Sequence, residues 1–305
     1  MKYKRLGIVG CGLIGGSFAL AMKHAGLAQR VVGYSRTPTT TALALSRGAI
    51  DEAADSAAAA VAGCDLVLLA VPVAATETTL KSIRPALERS VLLMDVGSTK
   101  RDVVDAARRA LRERIECFVP AHPIAGKESS GIEHADATLF VGRQTILTPL
   151  PQTDPALLKR AGSVWQSIGA ELRTMSPEEH DARFAAVSHL PHLLAFAYFS
   201  AVADQPAGDE FLALAGPGFR DFTRIAASDP AVWRDILIAN REEVLKQSQQ
   251  FRAMLDSFEA AMRQGHGQSM ALEALIRRAS EGRADWRIGA SAKHPPPRIP
   301  PPEVA

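Results

Sequence analysis

The chain has 305 residues, of which 47% are hydrophobic and 22% charged, with a formal net charge of +2. That length predicts two domains, each large enough for its own core, and the near-balanced charge gives no footing for nucleic acid or an anionic membrane as partner. Cys11, Cys64 and Cys117 are few, odd in number and set in apolar surroundings, so they read as reduced core residues and not as a disulfide framework or a metal site.

Lys2, Lys4 and Arg5 precede an apolar stretch, but five glycines between Gly7 and Gly16 interrupt it and no small-residue cleavage site stands clear of it. No later run reaches about 18 uninterrupted apolar residues. The expectation is a cytoplasmic chain with no leader and no membrane span.

The first element, residues 6–10, reads as a buried strand. Directly behind it stands Gly10-Cys11-Gly12-Leu13-Ile14-Gly15, and the helical stretch Gly15–Ala25 follows. A strand, a glycine turn and a helix in that order gather backbone N–H groups and the positive helix end around an anion. The first glycine permits the tight turn, the second lets the backbone approach a pyrophosphate, and the third lets helix pack on strand. Gly10, Gly12, Leu13, Ile14 and Gly15 are therefore the first candidate cofactor contacts.

Strand candidates continue at Val31–Ser35, Leu66–Pro72, Val91–Val96, Glu116–Ala121, Gln144–Thr148 and Glu171–Met175. Helix-like stretches lie between them at 53–62, Thr76–Leu87, Arg101–Arg114 and Ala156–Ile168. This alternation predicts an α/β, Rossmann-type domain over residues 1–175, with a mostly parallel sheet covered on both faces. Ligand then sits over the carboxyl ends of the strands, which adds Val71 and Pro72 to the cofactor set.

The end of the second strand bears on the nucleotide. NAD-binding chains usually carry Asp or Glu there to hold the ribose hydroxyls. Here the strand runs into Ser35-Arg36-Thr37, which offers a guanidinium and two hydroxyls but no carboxylate. Arg36 suits an ionised 2′-phosphate, so NADP is favoured over NAD; alternatively Arg36 is solvated or stacks on adenine with NAD still accepted.

Two later segments also follow apolar strands and belong on the ligand edge: Asp95-Val96-Gly97-Ser98-Thr99-Lys100 and Pro120-Ala121-His122-Pro123-Ile124-Ala125-Gly126. An imidazole at a strand end accepts a proton at neutral pH. His122 is the candidate general base, and Ser98 would hold that imidazole or bond a substrate hydroxyl.

After Met175 the strand signal stops. Ser176-Pro177-Glu178-Glu179 is a helix start, with a Ser N-cap, Pro in the first turn and acids favoured by the helix dipole. Helices are expected over 177–204, 209–215, 219–227, 230–263 and 269–281, making residues 176–290 an all-α domain. Residues 291–305 are proline-rich and read as a disordered tail. In Ser188-His189-Leu190-Pro191-His192 the histidines share a helical face; the spacing suits two metal ligands, but no third accompanies them, so no metal is expected. Leu193, Leu194, Phe196, Ala197 and Phe199 exceed what a small domain easily buries, which makes a partner surface plausible.

His122-Pro123-Ile124-Ala125-Gly126-Lys127-Glu128-Ser129-Ser130-Gly131, with Ala135, Leu139-Phe140 and Leu147-Thr148-Pro149 behind it, resembles the prephenate/arogenate dehydrogenases of tyrosine synthesis. So do Gly97-Ser98-Thr99-Lys100, Ser188-His189-Leu190-Pro191-His192 and Gly218-Phe219-Arg220-Asp221-Phe222-Thr223-Arg224-Ile225-Ala226. The matches run in order from Gly7 to about Trp233. The resemblance implies hydride transfer from a cyclohexadienol to NAD(P) coupled to loss of its ring carboxylate, with His122 as base and Ser98 on the reacting hydroxyl. It implies that Arg224 clamps a substrate carboxylate and that His192 lines the substrate pocket with Ser188 and, less directly, His189. It also implies a homodimer through the helical domain.

Lys127 stands where relatives often carry a small or polar residue, so it either assists a side-chain carboxylate or points to water, and prephenate and arogenate both stay open. Glu128 and Asp221 would gate access by pairing with Arg224. Trp233 packs at the site edge, between subunits or in the core. Two other readings compete: a β-hydroxyacid-type dehydrogenase, which would carry a catalytic lysine on the first long helix of the α-domain, and an NADP-sensing protein without turnover, which would not need His122, Ser98 and Arg224 together.

Overall fold

The computed structural model describes residues 2–126, 130–263 and 269–287. Its first half builds strands β1 (Leu6–Val9), β2 (Val31–Tyr34), β3 (Glu52–Ala53), β4 (Leu66–Leu69), β5 (Leu92–Asp95) and β6 (Phe118–Val119). Between them run helices α1 (Leu13–His24), α2 (Pro38–Ser46), α3 (Ala57–Val61), α4 (Thr76–Ile83) and α5 (Arg101–Leu111). All six strands are parallel, in the order β3-β2-β1-β4-β5-β6. Every residue of β1, β4 and β5 is buried, as an apolar strand must be when helices cover both faces of a sheet. The strand order reverses between β1 and β4, and the crevice over their carboxyl ends is where such sheets take a ligand.

The alanine-rich stretch 53–62, expected as one helix, is instead the short edge strand β3 followed by α3. Ser56 decides the break, because its hydroxyl caps Ala59 N and starts α3 only at Ala57. Helix α2 carries no strong apolar period and is invisible to a pattern reading. The expected strand Glu116–Ala121 is also divided. A 3₁₀ turn occupies Arg112–Cys117, β6 is two residues long, and Ala121–Pro123 forms β7 in a second sheet. Pro120 sits at the switch: it has no N–H to continue a ladder, and its carbonyl accepts instead from Thr148 N.

That second sheet has the order β7-β8-β9, with β8 Gln144–Leu147 and β9 Glu171–Thr174, and α6 (Pro155–Ser167) connects the last two. β7 runs antiparallel to β8, placing His122 opposite Ile146. Phe18 on α1, Phe140 and Trp165 on α6 meet edge-on or tilted, with ring centroids 5.1–6.5 Å apart, all fully buried. Replacing one such ring by alanine costs about 3–5 kcal/mol, so this cluster fixes the helix that carries the glycine turn.

The helical part begins with α7 (Pro177–Phe184), started by a reciprocal capping box between Ser176 and Glu179. The helix expected as continuous over 177–204 changes pitch: Ala185–His189 is a π-turn, and α8 spans Leu190–Ala203. Pro191 supplies the reason, since it has no N–H for the Val187 carbonyl and its ring crowds it; widening the turn relieves both. α9 (Gly208–Ala213), α10 (Pro217–Thr223) and a 3₁₀ turn at Arg224–Ala227 follow. The helix expected over 230–263 breaks at Asn240 into α11 (Pro230–Ala239) and α12 (Arg241–Arg263), and α13 covers Ser269–Asp285. Residues up to Ser248 form one compact unit and those from Gln249 onward a second.

By length and composition alone, the helical stretch Pro177–Ala203 holds an 18-residue window apolar enough to cross a bilayer, with a mean hydropathy of 1.3 and 22% of that window buried. Its amino-terminal half carries His180, Asp181 and His189, all buried and hydrogen-bonded to other elements.

Candidate active site

The glycine turn is built to receive an anion. Gly10 has φ of +100°, and a Cβ there would lie 2.1 Å from the Ala70 carbonyl oxygen, so only glycine fits between β1 and β4. Gly12 caps α1 without a side-chain bond, no acid stands in the first turn, and a Cβ at Gly12 would meet nothing within 4 Å. The helix end is therefore open, with the N–H groups around Leu13, Ile14 and Gly15 lacking a side-chain cap. These residues fit a dinucleotide pyrophosphate. Val71 and Pro72 follow β4 on the same edge, and β2 delivers Ser35, Arg36 and Thr37 beside them. The Ser35 hydroxyl accepts from Cys11 N at 2.8 Å and so braces the turn itself, while Arg36 and Thr37 are exposed. Cys11, Cys64 and Cys117 are free and buried, each thiol pushed up to about 11 chiefly by burial.

His122 is positioned by a buried ion pair. Lys100 Nζ bonds Asp95 Oδ2 at 2.6 Å and the Ala121 carbonyl at 2.7 Å, and Ala121 N donates to Asp95 Oδ1 at 3.0 Å. Both partners are almost fully buried. The pair grips the residue before His122 from two sides, so the segment from Asp95 to Lys100 serves as a brace for β7. Removing one member of such a pair costs about 3–5 kcal/mol because the other is left charged and buried.

The imidazole is bonded to a residue that the sequence reading missed. Nδ1 of His122 lies 2.8 Å from Nε2 of His180, and Nδ1 of His180 lies 2.7 Å from Oδ1 of Asp181. The same carboxylate accepts Lys100 N at 2.8 Å and Arg101 N at 2.9 Å, at the start of α5. Phe184 closes the arrangement, stacking on His180 at 4.4 Å and tilting against His122 at 5.0 Å. The expectation that Ser98 holds the imidazole is thus corrected: among the described residues it is His180 that does so, and the half-buried Ser98 hydroxyl makes no bond to His122. Burial, then the neighbouring His180, Lys100 and His189, keep the His122 pKa well below that of a free imidazole. His122 is neutral at pH 7.

His189 lies beside this arrangement. It is buried, its Nδ1 takes a bond from Asn240 Nδ2 at 3.0 Å, and the Ser98 backbone lies within bonding reach of its ring. Nδ1 is thus engaged by protein, and the ring packs toward the Ser98 turn. Burial drops its pKa to about 4. Asn240 also donates to the Asp181 carbonyl at 2.8 Å, which ties α11 to α7 at the point where the long helix breaks.

His192 lies one turn further along. Its Nδ1 donates to the Ser188 carbonyl at 2.9 Å and its ring stacks on Trp233 at 3.5 Å, with 18° between the planes. Trp233 is thus half-buried against His192. Burial lowers the His192 pKa, and the charge of Arg224 lowers it further, which brings that guanidinium into the same neighbourhood. Arg224 itself is exposed at the start of its 3₁₀ turn, and Asp221 pairs with Arg220. Lys127 and Glu128 lie outside the described residues. No group of three His, Cys, Asp or Glu side chains among the described residues is arranged to hold a metal.

An open glycine turn at a sheet's switch point, with a neutral imidazole past the carboxyl end of the neighbouring strands, defines a nicotinamide-dependent dehydrogenase. Residues 18–174 match the family model "Prephenate dehydrogenase, nucleotide-binding domain", and residues 176–276 match "Prephenate dehydrogenase, dimerization domain". The prephenate dehydrogenase of Bacillus subtilis is 36% identical over 269 residues, covering 86% of this chain and 71% of its own. The cyclohexadienyl dehydrogenase of Zymomonas mobilis is 34% identical over 262 residues, with 85% and 89% covered. Among solved structures, prephenate dehydrogenase from Aquifex aeolicus in complex with hydroxyphenyl propionate and NAD+ superposes with a TM-score of 0.86 at 34% identity, covering 93% of this chain and 98% of that one. The chain belongs to the prephenate dehydrogenase family. A 3-hydroxyisobutyrate dehydrogenase from Salmonella typhimurium, at 17% identity and a TM-score of 0.53, shares the fold alone.

Proposed function

We propose that this protein oxidatively decarboxylates prephenate, arogenate or both, using NAD(P). The observation that carries the reading is the neutral His122 imidazole, fixed by protein on its Nδ1 side, beyond the edge of a dinucleotide-binding sheet. Bound nicotinamide supplies the acceptor for the hydride that leaves C4 of the substrate ring. His122 Nε2 takes the proton of the C4 hydroxyl as that hydride departs. When the ring carboxylate leaves as CO2, its bonding pair enters the ring and arrives on the C4 oxygen as a phenolate, to which His122 returns the proton. No net proton is consumed, and aromatisation makes the step effectively irreversible. The Ser98 hydroxyl, freed of the imidazole, bonds the reacting hydroxyl.

Arg224 receives a substrate carboxylate through its guanidinium fork, and His192, stacked on Trp233, lines the wall with Ser188. Lys127 assists the carboxylate of the substrate side chain, and Glu128 gates access by pairing with Arg224. Arg36 favours the 2′-phosphate of NADP, since no carboxylate follows β2 to repel it. Two copies pair through the helical domain, as the description of its family model supports.

The test crosses prephenate and arogenate with NAD and NADP and follows reduced nicotinamide and CO2. Equimolar formation of both products with at least one pairing, faster with NADP, supports the reading. No turnover with any pairing overturns it, and a clear preference for NAD overturns the assignment to Arg36.

A further inference from the structure

We propose that His180 and Asp181 are positioning residues that fix which nitrogen of His122 is the base and stabilise the positive charge it acquires. The inference rests on the assignment of His122 above and deepens it.

The chain of bonds has one consistent reading. Asp181 is a pure acceptor: burial alone would raise its pKa, but the His180 ring and the amides of Arg101 and Lys100 hold it below the usual carboxylate range. An ionised carboxylate 2.7 Å from His180 Nδ1 requires a proton on that nitrogen. Neutral His180 then presents a lone pair at Nε2. That lone pair is 2.8 Å from His122 Nδ1, which must therefore carry the N–H. The one remaining lone pair of His122 is on Nε2, the nitrogen that no described residue holds. Asp181 thus selects the reactive tautomer across two rings, as the buried aspartate of a hydrolase triad selects it across one.

The anchor of the chain is stiff. Asp181 is fully buried, and its two oxygens hold consecutive backbone amides at the amino end of α5, where a helix favours negative charge. Among the described residues, no carboxylate touches His122 directly. The groups that face it are His180 from α7, His189 from the π-turn and Lys100 beside β7, and all three disfavour a positive charge on it. The carboxylate reached through His180 is what offsets them when the imidazole becomes imidazolium. Protons do not move down the chain: the His122 Nδ1–H and the His180 Nδ1–H each stay in place while their bonds strengthen.

Two variants of the full chain separate this role from a merely structural one. In Asp181→Asn the carboxylate charge is lost and the His180 tautomer is no longer dictated. In His180→Gln the amide oxygen still accepts from His122 Nδ1, but the link to Asp181 is cut. The expected result for Asp181→Asn is a kcat lower by about 10²- to 10⁴-fold, with KM for substrate and affinity for NADP within about twofold of wild type. His180→Gln loses less, about tenfold, because orientation survives. In both, the acid limb of kcat/KM moves to lower pH, since the partner that favoured the protonated ring is gone. Unchanged kcat in both variants, or a loss of kcat with the acid limb unmoved, overturns the proposal. Nitrogen-15 NMR of the wild-type imidazoles reads the tautomers independently of turnover: both His122 and His180 are expected as Nδ1–H, and an Nε2–H form of His122 contradicts the inference. A wild type that turns over no substrate pairing while showing these tautomers would overturn the functional reading and leave the chain of bonds standing.

Discussion

Four imidazoles around the site, His122, His180, His189 and His192, share one electrostatic property: burial is the largest cause of a lowered pKa in each. The unfolded chain binds protons on them near pH 6.5, whereas the folded chain resists until lower pH. The unfolded state therefore holds more protons in that interval, and stability must fall as pH falls. For His189 the interval runs from 6.5 down to about 4, which corresponds to about 3 kcal/mol if the shift is fully expressed. Above pH 7 these groups contribute no slope. Asp181 adds its own loss only below the ordinary carboxylate range, at still lower pH. Thermal denaturation in buffers from pH 7.5 to 4.5 should show a Tm that drops by roughly 5–10 °C, with most of the fall below 6.5. A Tm that is flat or rises on acidification would contradict the buried, neutral state of these rings.

At the scale of elements, the pieces legible in sequence are those whose signal is local. The β1 turn and α1 declare themselves because strand, glycine spacing and helix start occupy ten consecutive residues. The Ser176–Glu179 capping box does the same for α7. Two helices hide their irregularities because the causes are single residues acting on a distant turn: Pro191 widens the helix before it, and Asn240 leaves the helix where its amide reaches Asp181 and His189. Helix α8 and its neighbours also carry a prediction. Val187, Tyr198, Phe199, Phe222, Val232 and Ile238 stand 40–71% exposed on these elements, and large apolar side chains left in water mark a candidate interaction surface. The proposed pairing of two copies through the helical domain would place a second copy on this face, so light scattering should return a dimer mass, and replacing Tyr198 and Phe222 together by Asp should yield monomers. A monomeric wild type at micromolar concentration would contradict the assignment of this face.

Over the whole molecule, the site draws on β5, β7, α5, α7, the π-turn and α11, and that breadth decides what a reading of the chain can reach. His122 and Ser98 sit in short motifs at strand ends and are legible. His180 and Asp181 lie 58 and 59 residues beyond His122, within what looks like an ordinary acidic helix start. A signal was present: Pro177, His180, Asp181 and Phe184 fall on one helical face, so two titratable groups occupy positions that an amphipathic helix reserves for apolar side chains. His189 shows the converse, a motif histidine whose Nδ1 the fold takes for its own bracing through Asn240. The central claim is that one neutral imidazole removes the hydroxyl proton while other residues hold the dinucleotide. The most direct test separates those functions in His122→Asn, by measuring kcat with the preferred substrate pairing and NADP affinity by titration. The account predicts a kcat lowered by about 10²- to 10⁴-fold and an affinity within about twofold of wild type. Turnover at the wild-type rate would contradict it.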